Sequence, residues 1–225
     1  MKLGLVLECD TGGPDELVLT CLARRLAPGI TVQAAGLGSK AQVFLKGPEA
    51  AAELVEASGC DRVFVVWDLK PYWQGAAALN CEAEAEELRA KLKGMKKSTV
   101  DKVKLLCLTW ELETWLIADA RAVNAHLSTR EHKSKFKCGS PLSKNDAKAF
   151  LDRECKKHRG KTRRYVDVRE AIQIARLIPD THRVRSIPSF KRFVKLVCGK
   201  PLADFQQCGD ACNDLVYQAQ RLGRG

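Results

Sequence analysis

The sequence predicts an α/β fold, a mostly parallel sheet of about four strands flanked by helices, followed by a C-terminal helical subdomain. Three observations predict it. Apolar runs of strand length recur at residues 3–8, 30–36, 62–68 and 102–109, and runs unbroken by polar alternation suit strands covered on both faces. Segments with helical spacing separate these runs, and strands alternating with helices imply right-handed crossovers and parallel pairing. After residue 127 no strand pattern recurs, which gives two expected domains, an α/β domain over 1–127 and a basic helical extension over 128–225.

The first strand, Leu3-Gly4-Leu5-Val6-Leu7-Glu8, ends on a carboxylate and runs into the turn Cys9-Asp10-Thr11-Gly12-Gly13-Pro14. Pro14 suits the first position of a helix, and Asp15 and Glu16 suit its positive amino end. Leu17, Val18, Cys21, Leu22 and Leu26 then recur at helical spacing until Pro28-Gly29. Gly36-Leu37-Gly38-Ser39-Lys40 is a Gly-rich turn into a helical region; its spacing matches no phosphate-binding loop, so it reads as a simple turn. An alanine-rich helix is expected over 48–58, beginning at Pro48, with Gly59 as its C-cap. The β-branched and aromatic run 62–68 is the clearest strand, and it too ends on a carboxylate, Asp68.

Pro71 biases Lys70 away from helix, so 69–73 reads as a loop. A charged, exposed helix is expected over 80–92 and a basic turn over 94–98. The fourth strand leads into a helix over 110–119 with Thr109 as N-cap. Further helices are expected at 145–157, 167–177 and 188–197, with a partly helical tail from Pro201.

Composition narrows the function classes. No apolar run approaches the roughly 18 residues of a membrane span. The amino-terminal run is cut by an acid after five apolar residues, which does not fit a signal peptide and leads to the expectation of a cytoplasmic protein. Ten cysteines are scattered without a CxxC pair; they are expected to be reduced thiols rather than disulfides. Cys208 and Cys212 alone lack the tighter cluster that zinc needs.

The net charge is +11, and residues 131–165 hold twelve Lys/Arg against four acids, a local net of +8. Such a concentration suggests a polyanion, nucleic acid first. The residues that would hold it are Lys133, Lys135, Lys137, Lys156, Lys157, Arg159, Lys161, Arg163 and Arg164. A solvated basic loop without a ligand is the competing reading.

Three segments deliver acids near turns: Glu8, Asp68, and the group Glu111, Glu113 and Asp119. If the strands are parallel neighbours, Glu8 and Asp68 meet at one edge. Converging carboxylates repel unless a cation or protons intervene, and hard oxygen donors with little histidine suit Mg2+ or Mn2+. Each acid also has a plain structural reading, since acids are common at helix amino ends. Asp119 falls on an apolar stripe with Leu112, Leu116 and Val123, where it needs a partner such as Arg121.

A strand ending in Glu8, a Gly13-Pro14-Asp15-Glu16 turn that opens a helix, and a hydrophobic strand ending in Asp68 resemble the Toprim domain of primases, topoisomerases and OLD-type nucleases. The stretch Glu113-Thr114-Trp115-Leu116-Ile117-Ala118-Asp119 is similar to the Glu-x-Trp-Leu-x-Ala-Asp signature of a bacterial Toprim-like family, the domain of unknown function numbered 4276. Ile187-Pro188-Ser189-Phe190 is similar to that family's late Ser-Pro-Ser-Phe-type helix. The resemblance covers about residues 1–200.

It implies that Glu8 is the first-motif glutamate, a general acid/base or metal ligand, and that Asp68 is the first acid of an Asp-x-Asp pair. It implies that Glu113 is the acid of the Trp motif, with Glu111 beside it, and that an ATPase partner and an anti-phage defence setting are to be expected. Two departures stand out. Cys9 follows the glutamate where glycine is usual, and Lys70 replaces the second Asp.

The leading expectation is therefore a metal-dependent phosphodiesterase, a DNA or RNA nuclease. Glu8, Asp68 and Lys70 would be catalytic, and Glu8, Asp68, Glu113 and Glu111 would ligate Mg2+ or Mn2+. Lys70 could instead stabilise transition-state charge. The alternative is a catalytically inactive Toprim-like subunit that binds nucleic acid or a partner ATPase. A third reading puts a phosphate-bearing small molecule in the same site.

Overall fold

In a computed structural model of the chain, residues 1–70, 81–144 and 146–199 are described. They divide into two compact units, Met1–Leu112 and a second one opening at Glu113.

In the first unit the four apolar runs become β1 (Lys2–Leu7), β2 (Thr31–Gly36), β3 (Arg62–Asp68) and β4 (Val103–Leu108). They form one all-parallel sheet in the order β2-β1-β3-β4. The chain steps outward from β1 to β2, then returns past β1 to β3. In such a sheet the crevice between the carboxyl ends of the two strands flanking the reversal is where ligands bind. Here those strands are β1 and β3.

Side chains alternate across a strand, and the sheet is apolar on both faces. Val6, Val63, Val65, Trp67, Val103 and Leu105 pack with Val43, Phe44, Ala51 and Leu54 of α2 (Lys40–Glu56) and with Ala85, Leu88 and Leu92 of α3 (Cys81–Leu92). The alternate set, Leu3, Leu5, Leu7, Phe64 and Val66, is equally buried. The first helix, α1 (Pro14–Leu26), packs on β1 and β2 and buries Val18, Leu19 and Leu22. A short helix, α4 (Lys97–Val100), precedes β4.

Several elements differ from the sequence expectation. Pro48 does not start a helix: α2 begins at Lys40 and carries Pro48 inside. A proline there has no N–H for the carbonyl four residues back, and Lys91 Nζ takes up that role by donating to Phe44 O at 2.6 Å. The helix over 81–92 is amphipathic rather than exposed, with Glu84, Ala85, Leu88 and Leu92 buried. The basic turn at 94–98 runs into α4. Cys81 and Cys107 are joined as a disulfide with Cα atoms 5.7 Å apart, tying the start of α3 to β4; the expectation of reduced thiols fails for this pair, because the crossover from β3 to β4 brings the start of α3 beside the end of β4. Cys208, Cys212 and the tail from Pro201 lie outside the described residues, as do 71–73 of the expected loop.

The second unit is helical: α5 (Glu113–Ala118), α6 (Ala120–Leu127), α7 (Ala147–Arg159), α8 (Asp167–Leu177) and α9 (Pro188–Cys198). Thr109 is not an N-cap, and the single helix expected over 110–119 is replaced by α5 and α6, separated at Asp119. That residue is fully buried and caps α6, accepting from Arg121 N at 3.0 Å and from Arg121 Nη2 at 2.6 Å. Its need for a partner is met by Arg121, as its place on an apolar stripe requires. Trp115 is wholly buried, donates from Nε1 to Ser189 Oγ at 2.9 Å, and packs edge-on against Phe190 at 5.0 Å. The tryptophan motif and the late Pro-Ser-Phe helix are thus two halves of one packing core.

Candidate functional site

The carboxyl edge of the sheet gathers the residues that close β1, β3 and β4. Glu8 follows β1 and Asp68 ends β3, on neighbouring strands. Glu8 Oε1 accepts from the Asp68 backbone N–H at 2.9 Å. Burial raises the Glu8 carboxyl from 4.5 to about 8; the Asp68 N–H and the charge of Lys40 work against the rise, and Asp15 and Glu84 add to it. Glu8 is therefore mostly protonated at neutral pH, in a place where negative charge accumulates.

The loop from Glu8 into α1 is held against β2. Leu37 N donates to Leu7 O at 3.0 Å, and Gly13 N to Asp10 O at 2.8 Å. At Gly36 a Cβ would stand 2.4 Å from Thr11 N and 2.5 Å from Cys9 O, so only glycine admits this approach. Burial pushes the Cys9 thiol up to about 11, away from the thiolate form.

Two residues that sequence reasoning did not single out fix the end of β3. Lys40, at the start of α2, is 5% exposed. Its Nζ donates to Asp68 O at 2.9 Å and Leu69 O at 3.1 Å, and pairs with Glu84 Oε1 at 2.7 Å. Glu84 Oε2 in turn accepts from Trp67 Nε1 at 2.7 Å. The signals were present but ambiguous. Lys40 closes the Gly-rich turn, and Glu84 sits beside Ala85 and ahead of Leu88 on a helix that composition makes look solvated.

Lys70 is half-buried; its N–H donates to Trp110 O at 3.0 Å, and its ammonium lies 5.7 Å from the centre of the Trp110 ring. Trp110 is the one non-glycine residue at positive φ (68°) among those described. Strain of that kind in a bulky residue gathers at functional edges. Glu111, half-buried, follows it on the same edge of the sheet.

Glu113 belongs to the second unit, where it is 7% exposed and its Oε1 accepts from Tyr165 Oη at 3.3 Å. Tyr165 is held well above its ordinary range, first by burial and then by the Glu113 charge. In the basic segment Lys133, Lys135, Lys137, Lys157, Lys161, Arg163 and Arg164 are exposed. Three of the expected anion-binding residues have partners inside the unit, Lys157 among them, 3.5 Å from Glu154 Oε2. Lys156 pairs with Asp152, and Arg159 donates to Glu170 Oε1 at 2.8 Å and to His126 O.

A family model described as a domain of unknown function (DUF4276) matches residues 15–197. The chain belongs to the DUF4276 family. No curated protein and no solved structure matches it. In this DUF4276 member the matched span contains Asp68, Lys70, Glu111, Glu113 and the whole basic segment, while Glu8 precedes it.

Among the described residues no group of three or more His, Cys, Asp or Glu side chains is arranged to hold a metal ion, and no helix is long and apolar enough to cross a membrane. What the edge offers a cation is two acids at the ends of neighbouring strands, Glu8 and Asp68, joined through the Asp68 backbone N–H. That suits Mg2+, which is usually bound through one or two carboxylates and completes its octahedron with waters and phosphate oxygens. A buried acid lifted to about 8 also fits a donor set that an adjacent positive charge would return to its ionised form.

Proposed function

We propose that this DUF4276 member is a Mg2+- or Mn2+-dependent phosphodiesterase, a DNA or RNA nuclease of the kind found in bacterial anti-phage defence, with a Toprim-like site at the carboxyl ends of β1 and β3. The observation that carries the reading is the contact of the Glu8 carboxyl with the Asp68 backbone N–H across the topological switch of the sheet. Asp68 and ionised Glu8 would hold the ion. When bound, such an ion lowers the pKa of a coordinated water and neutralises charge on a phosphate. Glu8, with a pKa of about 8, can keep or release a proton near neutral pH, as a general acid or base must. Lys70 adds positive charge next to Asp68. Glu111 follows β4 as a further acid of the same edge. The exposed lysines and arginines of 133–164 would hold the nucleic-acid backbone through salt-sensitive, sequence-independent contacts.

The test is cleavage of labelled single- and double-stranded DNA and RNA with Mn2+, by wild type, Glu8→Gln and Asp68→Asn. Loss of at least about 100-fold in both variants supports the reading; unchanged cleavage overturns it. One observation favours a second reading, a catalytically inactive subunit that binds nucleic acid or a partner ATPase. Lys70 stands where the resemblance puts a second acid, and its ammonium lies against the Trp110 ring. That reading predicts nucleic-acid affinity unaffected by EDTA and no product from the wild type.

A further inference from the structure

The Lys40–Glu84 pair is a buried charge pair in a part of the core where an apolar pair would serve stability as well or better. Taking two charges out of water costs several kcal/mol per ion before their attraction is counted, so a buried pair is weak evidence of stability. What the pair does show is direction. An ammonium has three donors, and Lys40 uses them on three acceptors: Asp68 O, Leu69 O and Glu84 Oε1. These contacts turn the ammonium toward the end of β3 and Glu84, although Lys40 closes a Gly-rich turn. Glu84 spends its second oxygen on Trp67 Nε1.

Three successive residues at the end of β3 are therefore held by one ion pair. Trp67 is gripped by its side chain, and Asp68 and Leu69 by their carbonyls. The Asp68 peptide is held from both sides, its N–H by Glu8 and its C=O by Lys40. Residues brought in by the loops after β1 and β2 thus meet on the backbone of the acid that ends β3.

We infer that Lys40, anchored by Glu84, is a positioning residue that sets the Asp68 carboxylate against Glu8 for cation binding. The inference rests on the proposed cation site. Lys40 touches neither ion nor substrate and acts through Asp68. The Cys81–Cys107 link fixes the start of α3 one turn before Glu84, which keeps the anchor in place.

The test is Mn2+ titration by calorimetry at pH 8.5 on full-length wild type, Lys40→Met/Glu84→Gln and Glu84→Gln, with urea unfolding of each. The double variant removes both charges together and leaves no unpaired buried ion. The inference expects its Mn2+ affinity to fall at least tenfold while its unfolding midpoint stays near or above wild type. Mn2+ affinity within twofold of wild type in the folded double variant overturns it. Where the double variant does not fold, Glu84→Gln decides: it keeps the side-chain shape and removes the anchoring charge. A threefold or larger loss of affinity supports the inference and unchanged affinity overturns it. A wild type that binds no Mn2+ overturns the cation site itself, and the positioning role with it.

Discussion

Replacing Glu8 by glutamine should remove a stability loss that wild type suffers between about pH 4.5 and pH 8. The carboxyl rises from 4.5 to about 8 on folding, so across that window the native state keeps a proton that the unfolded chain has released. Stability falls with pH wherever the native state binds more protons. The contribution is therefore absent below pH 4.5, grows at about 1.4 kcal/mol per pH unit, and levels off above pH 8. The full effect is about 5 kcal/mol. Glu8→Gln keeps the size of the side chain and an oxygen that can accept from the Asp68 N–H, but cannot ionise. Urea unfolding of both proteins at pH 5, 6.5 and 8.5, without divalent cations, isolates the term as a difference. Other titrating groups are common to both and cancel. The variant should be more stable than wild type by a margin that widens with pH, reaching several kcal/mol at pH 8.5. A constant margin across the three pH values would refute the placing of Glu8 as a buried carboxyl.

The remaining predictions concern other parts of the frame. Gly36→Ala should cost about 3 kcal/mol by overpacking, because its Cβ would meet the backbone of Cys9, Asp10 and Thr11; a thermal midpoint within a degree of wild type would contradict that contact. Cys81→Ser/Cys107→Ser, or reduction with dithiothreitol, should lower stability by about 3.5 kcal/mol, the chain-entropy value for a loop of this length. The comparison is the urea midpoint with and without reductant. If nucleic acid binds the basic segment, Lys161→Ala/Arg163→Ala/Arg164→Ala should flatten the dependence of log affinity on log salt by up to about 2.7, at about 0.9 per phosphate contact on duplex DNA. Fluorescence anisotropy from 50 to 300 mM salt reads this directly, and an unchanged slope would place the contacts elsewhere.

The strands were legible because each is a short apolar run ended by a turn, and β3 and β4 are continuous enough to be buried on both faces. Glu8 and Asp68 were legible for the same reason. A carboxylate that ends a buried parallel strand has to lie at the carboxyl edge, and parallel neighbours bring such edges together. Asp119 announced its need for a partner by sitting on an apolar stripe. What stayed hidden was non-local. Lys40 and Glu84 lie on different helices, and each looks like a surface charge until the crossovers place α2 and α3 on one face of the sheet. Pro48 suggested a helix start because local rules give proline that meaning; the distant ammonium of Lys91 makes its interior position tolerable. The break at Asp119 follows from a side chain that caps α6 rather than continuing α5. The Cys81–Cys107 bond depends on the packing of α3 beside β4, which no spacing of cysteines discloses. The tryptophan signature was recognisable as a motif, yet Trp115 turns out to pack against Ser189 and Phe190.

The central claim is that Glu8 and Asp68 together form a divalent-cation site. Calorimetric titration of wild type with Mn2+ at pH 6.5 and 8.5, beside Glu8→Gln and Asp68→Asn at pH 8.5, tests it most directly. Because Glu8 must lose its proton to serve as a ligand, and its pKa is about 8, wild-type affinity should be roughly 25-fold weaker at pH 6.5 than at pH 8.5. Neither variant should bind measurably. A wild type that takes up no Mn2+ at pH 8.5, or variants that bind it as tightly as wild type, would contradict the claim.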